Sequence, residues 1–401
     1  MSSRATATGK KLLCVNGVFS RLNSPGAAEL DWFALITMLR EMGYTVRVLQ
    51  PIVKGQTHEA VERFYGLPEL DLVTAPLSIN MRNPRRLIEP AVWDGAGWMY
   101  ASPEFTHILD SAIRAYAPDA LIAVMSFLWG AARTARRAGL PVLLRSQNNE
   151  ASHMLQENGF SLPNLVRYWG KSAGERHVAR LPNAVAAITP NEAAFYRQLS
   201  PNTLIEALPL GTLPNLLRPP RPARDRSPLR AFFMGSSYNV PHNRKALAFI
   251  VREIAPLLRQ RAPGAFELHI LGSKAPADLV ALAAPELIFD GYAADLETHL
   301  DGMDIALVPS LSGAGMQQKV FEPLCRAFPV ITHERVLAGY PYQPGMDVRV
   351  GNTAADFVDH LLALRDPAER EALSRRAAAT SARLFQRETL QTTLQHLLDA
   401  F

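Results

Sequence analysis

The stretch Val308-Pro309-Ser310-Leu311-Ser312-Gly313-Ala314-Gly315-Met316-Gln317-Gln318-Lys319-Val320-Phe321-Glu322-Pro323 decides the reading of this chain. An apolar strand stops, the backbone turns through small residues, and a helix opens. Those are the parts of an anion site. Gly313 and Gly315 let backbone approach a ligand closely, and the unpaired N–H groups of a helix start, near Gly315, Met316 and Gln317, carry the positive end of the helix dipole. Lys319 and Glu322 are three residues apart and face the same way on a helix. The ammonium suits a diphosphate; the carboxylate suits a vicinal diol such as a ribose 2′,3′-pair, because it accepts two hydrogen bonds at a fixed position. Pro323 lacks a donor and disfavours helical angles at Glu322 outside a first turn, so the helix start stays open by a few residues. An ordinary strand-turn-helix with Lys319 and Glu322 as a surface ion pair is the competing reading.

Upstream, Leu229 to Met234 is a strand running into Gly235-Ser236-Ser237, and Pro241-His242-Asn243 opens an amphipathic helix reaching about Arg261. Gly235 and Ser236 offer backbone and hydroxyl donors to a phosphate oxygen. Strands at Phe266 to Leu271, ending in Gly272, and at Leu287 to Phe289, ending in Asp290-Gly291-Tyr292, precede a short helix from Asp295 to Met303 and the strand Ile305 to Pro309. Helices at Thr353 to Leu364, Glu369 to Phe385 and Thr389 to Leu398 close the chain.

The first half alternates in the same way, with strands at Lys11 to Asn16, Tyr44 to Leu49, Ala120 to Met125, Pro141 to Leu144, Ala184 to Ile188 and Leu204 to Leu208. Helices are read after Ser24-Pro25-Gly26, at Trp129 to Ala138, at Leu165 to Leu181 and from Pro190. Strands alternating with helices of this length imply parallel sheets. The stretch Gln50 to Tyr100 has poor periodicity and is read as irregular. Asn148 and Glu150 lie just past a strand's carboxyl end, where ligands bind in open α/β sheets. His177 is read as structural.

A length of 401 residues exceeds one core, so two domains follow. Six prolines between Leu208 and Arg230 mark the junction. The expected organisation is 1–208, a linker at 209–228, a second domain at 229–385, and a terminal helix at 386–401. No apolar run suffices for a membrane span and the first ten residues lack a secretory h-region, so a cytoplasmic protein is expected. Cys14 and Cys325 sit in apolar segments as buried thiols, and no metal-ligand spacing is present, so neither cofactor nor metal is expected. The formal charge of +5 comes from clusters at Arg82, Arg85 and Arg86, at Arg133, Arg136 and Arg137, and from Arg218 to Arg230. These are solvated faces, or they attract anionic phospholipid or a lipid-diphosphate acceptor. Nucleic acid is disfavoured, since no aromatic interleaving accompanies the charge.

Ser312 to Glu322, followed by Arg326-Ala-Phe-Pro-Val-Ile-Thr332, resembles the donor-site signature of family 4 glycosyltransferases. Gly-Ser-x-x-x-x-Pro-x-Asn at 235–243, Gly291-Tyr292, and Arg145-Ser-Gln-Asn-Asn-Glu150 are similar to further family segments. The resemblance covers the second domain closely and the first loosely. It implies an α/β, GT-B fold with two Rossmann-like domains facing a cleft, the last helix crossing back to the first domain, and metal-free, retaining sugar transfer from a nucleotide-diphosphate donor, most commonly UDP-linked. The acceptor it implies is a saccharide, a lipid-linked group or another hydroxyl.

By this resemblance Lys319 meets the leaving diphosphate, Glu322 anchors the ribose, and Gly235, Ser236, Gly272, Gly313, Ala314, Gly315, Met316 and Gln317 surround the donor. Tyr292 lies by the base or serves packing. Gly26, Asn148 and Glu150 face the acceptor, although a plain loop at Gly26 fits equally. Ala314 stands where many members carry a first glutamate, the Arg/Lys pair common after Gly235 is absent, and Gln147 replaces a common histidine. An amide there positions a hydroxyl but is no base. Two other classes stay open: a binding or scaffold protein that keeps the fold, and a GT-B enzyme of other chemistry, either a sugar-nucleotide epimerase or an inverting transferase.

Overall fold

The computed structural model describes residues 9–17, 26–77, 88–313 and 315–401. Ala314, most of the loop between Gly17 and Gly26, and Arg82, Arg85 and Arg86 lie outside the described residues. The chain forms two compact units, Met1–Thr212 with Arg387–Phe401, and Leu213–Gln386.

The first unit is built on seven strands: β1 Lys11–Val15, β2 Thr45–Ile52, β3 Asp71–Pro76, β4 Ala120–Val124, β5 Val142–Ser146, β6 Ala184–Ala187 and β7 Leu204–Ala207. All pair in parallel, in the order β3-β2-β1-β4-β5-β6-β7. Central strands are buried on both faces, which is why β1 and β4 read as continuous apolar runs. The second unit repeats the plan with β8 Leu229–Ser237, β9 Phe266–Ser273, β10 Leu287–Gly291, β11 Ile305–Val308, β12 Val330–Thr332 and β13 Arg349–Val350, ordered β10-β9-β8-β11-β12-β13, again all parallel. In each sheet the strand order reverses beside the first strand, at β1/β4 and at β8/β11. Connections leave such a pair in opposite directions and open a crevice beyond the carboxyl ends of the strands.

The helix Arg387–Leu398 belongs to the first unit. It buries Leu390, Leu394, Leu397 and Leu398 with Cys14, Ile122 and Ala186, the spacing of one helical face. Cys14 and Cys325 are buried free thiols, and burial pushes both above the ordinary thiol range. Among the described residues no helix is long and apolar enough to cross a membrane.

Several elements differ from the sequence expectation. The stretch from Gln50 to Tyr100 is not irregular throughout: it holds the end of β2, a helix at His58–Tyr65, edge strand β3 and a helix at Gly95–Tyr100. The first helix buries only Val61 and Tyr65, and β3 has one buried residue, so neither left a strong apolar period. Helices at Pro103–Tyr116 and Glu150–Asn158 were also not anticipated.

Helix Pro241–Arg261 runs through a wide turn at Ile250–Ile254. Pro256 supplies the cause, because it has no N–H to give the preceding turn. The proline-rich segment after Thr212 is anchored to the second unit: the Arg218 and Arg221 N–H groups donate to Cys325 O (2.9 Å) and Ser374 Oγ (2.6 Å), and Arg226 Nε donates to Asp304 (2.8 Å).

Candidate active site

The organising loop leaves β11 at the reversal point of the second sheet and enters helix Gln318–Cys325. Pro323 therefore lies inside this eight-residue helix rather than in its first turn. Gly313 and Gly315 adopt φ of +102° and +67°, left-handed values that side-chain-bearing residues avoid. The loop is braced internally. The Ser310 hydroxyl bonds the Gln317 side chain, Gln317 Nε2 donates to Ser312 O (3.2 Å), and Arg335 donates to Leu311 O and Gly313 O, the latter at 3.1 Å. Met316 is buried. Gln317 caps the helix without a side-chain bond to it, so its first turn is left to other acceptors.

Lys319 Nζ donates to Asn243 Oδ1 at 2.9 Å and lies 5.9 Å from the centre of the Phe233 ring. Asn243 in turn donates to Ser237 O (3.1 Å), so the ammonium is held toward the end of β8. There Ser236 is exposed and Gly235 buried. Gly272, φ +133°, is what lets β9 approach: a Cβ on it would sit 1.7 Å from Gly235 O. Tyr238 locks the same junction by donating to Leu271 O (2.7 Å). Gly272 thus has a packing task that the sequence could not separate from ligand contact.

Glu322 is buried and receives two partners, Arg326 Nε at 3.0 Å and Gln318 Nε2 at 3.1 Å. Arg326 also pairs with Glu297 at 2.7 Å. A carboxylate keeps about four acceptor directions, so this clamp fixes Glu322 and leaves lone pairs for a diol. Tyr292 is 81% exposed, so it packs little and is accessible to a ligand.

In the first unit, Gly26 caps helix Ala27–Glu41 and gives its N–H to Glu29 Oε2 (3.0 Å). The Asn148 side chain has no partner among the described residues and is half-buried. Glu150 heads its helix; its N–H donates to Glu175 Oε1 (2.5 Å), and its carboxylate lies 3.7 Å from Lys171, which also reaches Asp94 at 3.3 Å. Burial pushes Glu175 up to about 8 and Glu192 up to about 7; Glu192 accepts from Ser146 Oγ at 2.7 Å and from the Ile188 N–H at 3.0 Å. His177 packs edge-on against Trp129 at 5.0 Å.

Beneath these residues lies a buried ion pair that the sequence did not signal. Arg145 grips Asp31 through Nε (3.1 Å) and Nη2 (2.9 Å), Gln147 Nε2 reaches the same carboxylate at 3.0 Å, and the Gly211 N–H at 2.8 Å. Asn243 was legible in the motif at 235–243, and Arg326 in its four-residue spacing from Glu322. Arg335 left no signal.

Two family models match the sequence. One, described as "Glycosyl transferases group 1", covers residues 229–366, and the other, "Glycosyl transferase 4-like domain", residues 27–211. Curated proteins give no match. Among solved structures, Anabaena Alr3699/HepE in complex with UDP superposes with a TM-score of 0.68 at 14% identity, over 98% of this chain and 100% of that one. Sucrose-phosphate synthase from Thermosynechococcus elongatus gives 0.64 at 15%, over 97% and 98%. A mutant of S. aureus TarM in complex with Fondaparinux, alpha-GlcNAc-glycerol and UDP gives 0.64 at 9%, over 97% and 100%. At such identities the likeness is one of fold, and the fold is GT-B.

Proposed function

Because the chain belongs to the group 1 glycosyltransferases, of family 4 type, we propose that it is a retaining hexosyltransferase that takes its sugar from a UDP-sugar and needs no metal at the diphosphate. The observation that carries this reading is the convergence of the Gly313–Gln317 turn, the Lys319 ammonium and the Gly235-Ser236 end of β8 through the Lys319–Asn243–Ser237 chain of hydrogen bonds. As the bond from sugar to diphosphate breaks, negative charge grows on the β-phosphate. A fixed ammonium, an uncapped helix start and backbone donors stabilise that charge where it develops. Glu322, clamped by Arg326 and Gln318, holds the ribose; Gly313, Gly315, Met316 and Gln317 line the donor, and Tyr292 borders the base. The choice of uridine is supported by UDP in complexes of structural neighbours.

The acceptor is taken by Asn148, Glu150 and the Gly26 region, and it is a saccharide or lipid-linked hydroxyl. Helix Leu162–Val178, whose Lys171 and Glu175 contact Glu150, supports the lipid-linked form. At its start Leu162, Val166 and Trp169 stand exposed at one-face spacing, with Phe160 before them and Arg167 alongside. Apolar side chains beside a cation suit the anionic inner face of a membrane, with the protein in the cytoplasm and bound peripherally.

The test is a thermal-shift panel of UDP, GDP, ADP, CDP and dTDP on the wild type and Lys319→Ala, since a ligand that binds only the folded state raises its apparent stability. A shift with UDP that disappears in the variant is expected. No shift with any diphosphate, in folded protein, overturns the charge-stabilisation scheme and favours a non-catalytic scaffold.

A further inference from the structure

We propose that His269, Asp290 and His299 form a zinc site beside the Gly291-Tyr292 turn. Glu267 and His269 are two apart on β9 and so share one face of the sheet. On neighbouring β10, Ile288 pairs with His269, the register shifts between Phe289 and Gly291, and the intervening Asp290 turns its carboxylate to His269 Nδ1. Helix Leu296–Asp301, capped by Asp295, then brings His299 over it.

The three ligand atoms lie within 4.8 Å of one another, with His269 Nδ1 3.0 Å and His299 Nε2 3.7 Å from Asp290 Oδ2. Zinc bonds of about 2.0–2.1 Å place tetrahedral ligand atoms roughly 3.3–3.4 Å apart. The first two separations straddle that value, and a small rotation of His299, which is 27% exposed, closes the third.

Two further observations point to a cation. His299 Nε2 is a buried nitrogen with no hydrogen-bond partner among the described residues, and it faces the shared carboxylate. Behind His269, Glu267 Oε2 stands 3.5 Å from Nε2 and is itself held by Arg230 Nε at 2.9 Å. With a metal on Nδ1, the Nε2–H of His269 points at Glu267, and that carboxylate fixes the ring as outer partners of zinc histidines do. Two imidazoles and one carboxylate favour zinc over magnesium and leave one position for water. Sequence spacing gave no hint of this, because the ligands come from two strands and a helix. The ion would clamp edge strand β10 and the short helix to β9.

The experiment uses the full chain, stripped with a chelator and titrated with Zn2+, with Co2+ as a visible probe and Mg2+ as the control. Expected are one Zn2+ per chain, a raised melting temperature, Co2+ bands of tetrahedral intensity and no response to Mg2+. His299→Gln should abolish the Co2+ bands, and Glu267→Gln should weaken Zn2+ affinity by about 10–100-fold. If His299→Gln does not fold by circular dichroism, Asp290→Asn takes its place. Absence of Zn2+ binding to the wild type, or a Co2+ spectrum that survives loss of the ligand, overturns the site. UDP binding is read separately, so failure here leaves the donor assignment standing.

Discussion

Replacing Gly272 with alanine tests how the end of β9 is joined to the end of β8. The added Cβ would lie 1.7 Å from Gly235 O and 3.1 Å from Tyr238 Cε2, at a φ of +133° that side chains rarely adopt. The backbone strain costs about 1–3 kcal/mol. Relieving the clash means displacing backbone rather than a flexible side chain, which adds about 1–3 kcal/mol. Gly264, in the turn before β9, is the matched control: its φ is +71° and nothing lies within 4 Å of its Cβ position, so Gly264→Ala carries only a left-handed penalty of about 1–2 kcal/mol. At about 2–4 °C per kcal/mol for a domain of this size, Gly272→Ala should melt several degrees below Gly264→Ala. Because Gly235 is what must move, Gly272→Ala should also weaken UDP binding, measured by calorimetry, while Gly264→Ala should not. If the two variants melt together and bind UDP alike, the close approach at Gly235 is not what demands the glycine.

Asp31→Ala leaves Arg145 buried without its carboxylate and should cost about 3–5 kcal/mol in urea denaturation followed by tryptophan fluorescence. Glu175 titrates near 4.5 when unfolded and near 8 when folded, so between these values the folded chain holds a proton that the unfolded chain has lost, and stability falls as pH rises. Glu175→Gln removes that part and leaves Glu192, at about 7, so the upper end of the decline should move down from about pH 8 toward 7 in a series of melting curves. Arg326→Leu strips Glu322 of its main partner; UDP affinity should drop several-fold, with a shift back toward wild type in the lysine variant Arg326→Lys. Leu162→Ser with Trp169→Ser should lower co-sedimentation with phosphatidylglycerol vesicles at unchanged melting temperature, since both side chains are already exposed.

The sequence by itself determined the alternation of strands and helices in both halves, because buried parallel strands must be apolar throughout and their crossover helices apolar on one face. It also marked the turn at Gly313–Gln317, because the positive-φ glycines, the lysine and the glutamate stand close together in the chain. Weakly buried elements escaped it: β3 and the helix at His58–Tyr65 expose most of their side chains and carry little periodicity. Tertiary structure alone decided what each site residue touches. Lys319 meets Asn243 from another helix, Asp31 meets Arg145 across 114 residues, and Gly272 meets Gly235 across a parallel ladder. Those partners are set by strand order and register, which depend on how the whole sheet packs, whereas a helix, a turn or an apolar run is set by its neighbours along the chain.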